Sequence, residues 1–272
     1  MIKLLKAVAT IRDVIAYAET SQTPLCVISL DFQAAFDRIS HQYLEETLRA
    51  CGFKESFVRR IMGLYRNATS EIHINGFRSN SIPVKRSIRQ GCPLSMLLYA
   101  ICINPLLQTL VEEITGVKTG NGRPGIATVA YADEITIFLT RPEEIPKLQQ
   151  ILDTYQKASV ARTNADKSRA MAIGEWDATR RVMNIPCYGE ITTLGFTFKS
   201  KSNITNKEQW HRILSQVPAT AQDAYYRKLD LDMRIRYVHD YLLAKIWHTA
   251  QILPITAEGV RQLNCTIAWY IW

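Results

Sequence analysis

The chain has 272 residues, 47% hydrophobic and 21% charged, with net charge +8 and pI near 9.2. This suits one large globular domain or two small ones with a real core, and a basic balance permits a nucleic-acid partner. Six scattered cysteines without a C-x-x-C pair exclude a disulfide framework and a zinc site, and read as small buried residues of a reducing compartment.

In chain order, "MIKLLKAVATIRDVIAYAE" is broken by Lys3, Lys6, Arg12 and Asp13. It predicts an amphipathic helix over 2–18, not a signal peptide or membrane span. "PLCVISLDF" reads as a buried strand that ends in a carboxylate, Asp31. Ser40 is a good N-cap for a helix with Leu44, Leu48 and Cys51 on one face and Gly52 as its stop. A further helix is expected over 56–65, then a hairpin at "EIHINGFRS", where Asn75-Gly76 suits a type I′ turn. Between Lys54 and Arg89 stand eight Lys/Arg against two acids, a solvated face or a phosphate track. "PLSMLLYAICINPLLQTLVEEI" predicts a helix opened by Pro93 and interrupted at Pro105.

Next comes "VAYADEITIFL" (129–139), two short strands with Asp133 and Glu134 between them. Adjacent acids are poor strand formers, so they decorate an exposed turn or face something cationic. A helix near 145–157, a strand at 170–173 and a strand pair in "TTLGFTFK" follow. The pattern from Lys207 is helical and more basic. The expected fold is α+β, a sheet backed by helices over 1–200 and a mostly helical segment over 201–272. Asp31 and Asp133 both sit at strand ends. Brought together, they would repel unless a cation lay between them, and hard oxygen ligands suit Mg²⁺.

Five segments stand in order: "LDFQAAFDRISH" (30–41), "RQGCPLS" (89–95), "AYADE" (130–134), "NADKSRAMAIG" (164–174) and "TTLGFTF" (192–198). Together they resemble the palm motifs of reverse transcriptases from non-LTR (LINE-type) retrotransposons. "YLLAKIWHTAQILP" (241–254) is similar to the start of that family's thumb. The resemblance implies a polymerase palm followed by a partial thumb. It implies RNA-directed DNA polymerisation, with dNTPs, an RNA template and a DNA primer as partners. The cofactor would be a pair of Mg²⁺ ions, or Mn²⁺ in their place, about 3.5–4 Å apart.

Under it Asp31 and Asp133 are the metal ligands and Glu134 the lesser acid. The backbone of Phe32, Gln33, Ala34 and Ala35 lies against the triphosphate, and Phe36 is the gate that rejects a 2′-hydroxyl. Gln90 and Gly91 contact the nascent base pair, and Lys167 assists the leaving pyrophosphate. Arg66, Arg78, Lys85, Arg86 and Arg89 track nucleic-acid phosphates, and Leu194, Gly195 and Phe196 belong to the primer grip. The expected setting is intracellular, nucleus or cytoplasm, without a membrane. Three departures stand out. The family has Asp-Asp where this chain has Asp133-Glu134, and commonly Pro where it has Met96. Little of the fingers fits before Asp31 and the thumb stops early, so a fragment truncated at both ends is expected. The alternative is an impaired or inactive remnant that at most binds nucleic acid or a protein.

Overall fold

The computed structural model describes residues 2–89, 91–120, 124–177, 179, 181–200, 203–204 and 206–272. Its elements in order are α1 (Ile2–Thr20), β1 (Leu25–Leu30), α2 (Ala35–Arg38), α3 (His41–Ala50), α4 (Glu55–Gly63), β2 (Thr69–Ser70), β3 (His73–Ile74), β4 (Phe77–Arg78), β5 (Ile82–Pro83) and α5 (Ser95–Glu113). Then come β6 (Thr128–Tyr131), β7 (Glu134–Leu139), α6 (Glu144–Ser159), β8 (Arg169–Ile173), β9 (Cys187–Tyr188), β10 (Glu190–Thr193), β11 (Phe196–Lys199) and β12 (Asn203–Ile204). The helices α7 (Asn206–Leu214), α8 (Gln216–Tyr225), α9 (Leu231–Tyr237), α10 (Ala244–Ala250) and α11 (Ala257–Ile271) complete the chain, with a π-helical stretch at Val238–Leu243. Two compact units result: residues 14–191, and residues 1–13 with 192–272.

In the first unit a five-stranded sheet runs β6-β7-β1-β8-β9. The apolar strand β1 takes its centre, antiparallel to β7 and β8. Residues paired across an antiparallel ladder share a face. The pairs Cys26–Leu139, Ile28–Ile137 and Leu30–Ile135 therefore form one apolar surface. It joins a single core with Leu44 and Leu48 of α3, Val58 and Ile61 of α4, Leu98, Cys102 and Leu106 of α5, and Leu148 and Leu152 of α6. Each such large side chain contributes roughly 1.5–3 kcal/mol on full burial.

Local signals act as expected in several places. Ser40 Oγ accepts from Tyr43 N at 3.0 Å, so it caps α3, and Gly52 follows that helix at φ +81°. Asn75 and Gly76, at φ 50° and 82°, turn the β3–β4 hairpin. That hairpin and the β2–β5 ladder beneath it are exposed throughout, with Phe77 80% accessible.

Pro105 is a correction. It does not interrupt α5, which continues through it to Glu113. An internal proline costs about 3 kcal/mol. α5 keeps Leu98, Cys102, Ile103, Leu106 and Leu110 in the core, and their burial outweighs that cost. The same helix is long and apolar enough for a membrane span, but that buried stripe is committed to the sheet's core.

In the second unit Trp210, Leu214, Val217, Ala221, Val238, Leu242, Ile246, Leu263 and Tyr270 form a separate core. The Trp210 indole donates to the Pro254 carbonyl at 2.9 Å. Arg234 donates to the carbonyls of Tyr270 and Ile271, where cationic donors favour a helix C-terminus.

Candidate active site

The site begins where β1 runs out. Asp31 follows Leu30, and its backbone is held on both sides by the loop 162–168. Its N–H donates to Ser168 Oγ at 3.1 Å, and its carbonyl accepts from Asn164 N at 2.8 Å. One residue on, Phe32 bridges Thr163, and Gln33 N donates to Arg162 O at 2.9 Å. Ser168 is fully buried; its hydroxyl donates to the Asn164 carbonyl at 2.7 Å while accepting from Asp31. This loop is the "NADKS" segment, so Lys167 lies next to the residue that fixes Asp31. Lys167 is exposed, has no ion pair among the described residues, and donates its N–H to Asn164 Oδ1 at 3.4 Å.

The adjacent carboxylates Asp133 and Glu134 sit on the β6–β7 hairpin. Tyr131 pairs Glu134, so Ala132 and Asp133 form a two-residue turn. Ala132 adopts φ 53°, the left-handed region that costs a non-glycine residue about 1–2 kcal/mol. The β1–β7 pairing ends at Leu30–Ile135, so Asp31 leaves β1 where β7 begins at Glu134, with Asp133 in the adjoining turn. The sheet thus delivers all three carboxylates to one end. Asp31 is half-buried and Asp133 and Glu134 are exposed. No cationic side chain pairs with Asp31 or Asp133 among the described residues.

Phe36 lies beside them. Its ring stacks on Tyr99 of α5 at 4.5 Å and 28°. Burial raises the Tyr99 hydroxyl above the ordinary tyrosine range, and the nearby negative charge of Asp133 raises it further. Phe36 and Tyr99 thus pack together although they come from separate elements, within the electrostatic reach of Asp133. Tyr99, like Ser168, was not singled out from the sequence. Serine directly after the Asn-x-x-Lys turn was the available signal for Ser168. Nothing in the spacing marks Tyr99, which reads as one more apolar-face residue of α5.

The remaining expected positions are distributed as follows. Of the amides from Phe32 to Ala35, that of Gln33 is taken by Arg162, so it is not a phosphate donor, a correction with a plain hydrogen-bonding cause. Ala34 is left-handed at φ 45° and opens α2. Gln90 lies outside the described residues. Gly91 is exposed at φ +81°, a conformation that itself calls for glycine. Its loop is closed by Ser95, whose hydroxyl donates to the Arg89 carbonyl. Arg66, Arg78, Lys85, Arg86 and Arg89 are all exposed, and Arg78 meets Glu71 at 4.0 Å.

Leu194 and Gly195 form the β10–β11 turn of the second unit, at φ 53° and 79°, and Phe196 opens β11. The side chains of Leu194 and Phe196 are buried, Phe196 against His248 at 5.1 Å. Strand alternation turns Phe196 inward, and Leu194 is buried within the turn. Thr192, Gly195 and Thr197 face outward.

Among the described residues no group of three or more His, Cys, Asp or Glu side chains is arranged to hold a metal ion. The donor set nevertheless fits Mg²⁺. That ion is usually bound by one or two carboxylates, with substrate phosphates and water completing its shell, rather than by an all-protein cage.

Comparisons with known proteins point to one family. The family model described as "Reverse transcriptase (RNA-dependent DNA polymerase)" matches residues 3–210. The chain is 34% identical over 272 residues to the "Transposon TX1 uncharacterized 149 kDa protein" of Xenopus laevis, covering 96% of this chain and 20% of that protein. It is 26% identical over 253 residues to a Pol polyprotein of type-1 retrotransposable element R2 from Popillia japonica, covering 87% and 40%. With the R2DM polyprotein of Drosophila melanogaster the identity is 34% over 169 residues, covering 61% and 15%. The chain thus spans less than half the length of these relatives. Among solved structures, telomerase from Candida Tropicalis with a fragment of telomeric RNA aligns at TM-score 0.57 and 12% identity, over 92% of this chain and 42% of that one. Apo telomerase from the same organism aligns at 0.55 and 11% identity, over 100% and 50%. At such identities the likeness is one of fold.

Proposed function

The chain belongs to the reverse transcriptase (RNA-dependent DNA polymerase) family, of the kind carried by non-LTR retrotransposons, and from that premise we propose that residues 14–191 are a polymerase palm that adds dNTPs to a primer 3′ end on an RNA template. One observation carries the reading. The β1–β7 register and the β6–β7 turn deliver Asp31, Asp133 and Glu134 to one sheet end, beside the loop that holds Lys167.

Asp31 and Asp133 would hold divalent metal, with Glu134 as the lesser acid. Bound there, Mg²⁺ would supply charge neutralisation for the attacking and leaving oxygens of an in-line displacement at the α-phosphate. The chain's own residues do the rest by positioning and electrostatics. Ser168 and Asn164 fix the Asp31 backbone, and the turn after it presents Ala34 and Ala35 to the triphosphate. Phe36, braced by Tyr99, stands where a 2′-hydroxyl would collide. Lys167 offers positive charge, or a proton, to the leaving pyrophosphate. The exposed cations from Arg66 to Arg89 and the outward face of the β10–β11 hairpin are nucleic-acid contacts.

Primer extension by the purified chain with Mg²⁺, an RNA template and dNTPs tests this. Incorporation that disappears in Asp31→Ala and in Asp133→Ala is the expected result; incorporation that survives both substitutions removes the metal assignment. A second reading, an impaired remnant, rests on Glu134. Its carboxylate is one methylene further out than an aspartate's, at the sheet end that β1 and Asp31 also reach. That reading predicts salt-dependent nucleic-acid binding without incorporation.

A further inference from the structure

A hollow of about 450 Å³ opens between α4 and α5. Phe53, Phe57 and Ile61 line it from one side, and Leu94, Leu97 and Ile101 from the other. Steps of three and four residues are those of one helical face, so each side presents an apolar stripe. Of the described residues that line the hollow, Cys51 and Asn104 alone carry a polar side chain. Phe53 is held in place by the end of α3. Gly52, at φ +81°, donates its N–H to Arg49 O at 2.9 Å, and Phe53 N donates to Leu48 O at 3.2 Å. The Phe53 and Phe57 rings then stack at 5.1 Å and 21°. These walls are nevertheless open to solvent: Phe53 and Phe57 are 38% and 39% accessible, and Leu94 and Leu97 38% and 63%. The rim is basic. Lys54 and Arg60 stand three residues before and after Phe57, on its side of α4. Both are exposed, and neither is in an ion pair among the described residues. Glu55, the acid of α4, is taken by Arg49 at 3.0 Å.

A contiguous apolar surface with a polar rim marks a contact site, and the chemistry narrows the occupant. Walls of hydrocarbon give a small polar ligand little to orient on. Nucleic acid would bring phosphates against a surface that cannot pair with them. A bilayer takes apolar side chains that project, whereas these enclose a depression. A second copy would carry the same two cations to the interface, in a chain of net charge +8. An amphipathic helix supplies what the groove lacks. Its apolar side chains at i, i+3 or i+4 and i+7 form a ridge that fits between two helices, and acids beside that ridge complement Lys54 and Arg60.

We propose that the groove between α4 and α5 docks an amphipathic helix of a protein partner, with its apolar stripe on Phe57 and Leu97 and its flanking Asp or Glu residues facing Lys54 and Arg60. The site uses none of the carboxylates of the polymerase reading and stands independently of it. Fluorescence polarisation with the purified chain tests it. The probe is a labelled peptide of about 18 residues, long enough to be helical, with leucines in one stripe and glutamates on both flanks. It should bind, and a peptide of the same composition with the stripe scrambled should not. Leu97→Glu changes an exposed position and should weaken binding by about 10-fold or more, the loss of one buried apolar anchor. Lys54→Glu/Arg60→Glu should weaken it several-fold and should bind a lysine-flanked version of the peptide more tightly than the wild type does. Unchanged circular dichroism shows that the variants fold. No binding, or equal affinity in every variant, overturns the proposal. So does binding to phosphatidylserine vesicles that Leu97→Glu abolishes, which gives the face to a membrane, and so does displacement of the peptide by a short oligonucleotide. A dimer in sedimentation equilibrium that Leu97→Glu splits overturns it in favour of a second copy.

Discussion

Replacing Ser168 by alanine deletes one oxygen, and the structure says what that oxygen does. It accepts the Asp31 N–H at 3.1 Å and donates to the Asn164 carbonyl at 2.7 Å, in a fully buried position. Asn164 O retains a second donor, the Ser168 amide at 2.9 Å, whereas no other described hydrogen bond uses the Asp31 amide. The substitution therefore strands one N–H, a loss of about 1–3 kcal/mol in stability. It also frees the Asp31 backbone on one side, because only the Asn164 N–H still holds its carbonyl. A shift of about 1 Å at a reacting group costs on the order of 100-fold in rate. Single-turnover primer extension should fall by about 10- to 100-fold with little change in dNTP binding, and the Asp31 amide should lose hydrogen-exchange protection. Ser168→Thr, which keeps the hydroxyl, should retain the protection. A Ser168→Ala protein with wild-type urea midpoint, wild-type rate and a protected Asp31 amide would refute the reasoning.

Other substitutions probe different parts of the same site. Phe36→Ala should raise use of ribonucleotides relative to deoxyribonucleotides by on the order of 10- to 100-fold, the range set by a lost steric contact of about 1–3 kcal/mol. Competing ATP against dATP in primer extension checks it, and an unchanged ratio makes Phe36 a packing residue on Tyr99. Glu134→Asp shortens the acid that follows Asp133 and should increase incorporation several-fold; a fall in rate would mean that the longer carboxylate is the fitted one. Alkali should weaken the fold. Burial pushes the Tyr43 hydroxyl and the Cys102 thiol each up to about 12, and raises Tyr99 and Tyr155 further. In the unfolded chain these groups ionise near their ordinary values of 10.0 and 9.0. The folded state thus keeps protons that the unfolded state releases, so this stability is complete below pH 9 and is lost as pH climbs toward 12. The part of the tyrosinate absorbance that belongs to these buried rings should appear together with loss of the helical circular-dichroism signal. Full ionisation of all tyrosines near pH 10 with native dichroism would contradict the burial.

Local chemistry explains where reading the chain succeeded. The Ser40 cap, the Gly52 stop and the Asn75-Gly76 turn each depend on a few adjacent residues, so their residue types announce them. Two strand-end aspartates were equally visible, because a carboxylate closing an apolar run is conspicuous. Where reading failed, distant atoms had decided. Pro105 breaks an isolated helix but not one whose apolar stripe is the core. The Gln33 amide is free in the sequence and occupied in the fold. Phe196 has the same alternation whichever face turns inward, and packing decided that its own does.

By itself, then, the sequence determined the elements, the turns and the chemical character of the site: hard carboxylates at the ends of apolar strands, with a lysine loop and a basic arm. Only the tertiary structure decided which of these meet. Strand order β6-β7-β1-β8 brought the end of the strand before Asp31 to the start of the strand at Glu134, and the return loop put Ser168 on the Asp31 amide. The physical reason is range. Caps and turns are fixed by bonds between neighbours in sequence. Register and convergence come from burying apolar surface held by residues far apart in the chain, and no short window contains that information.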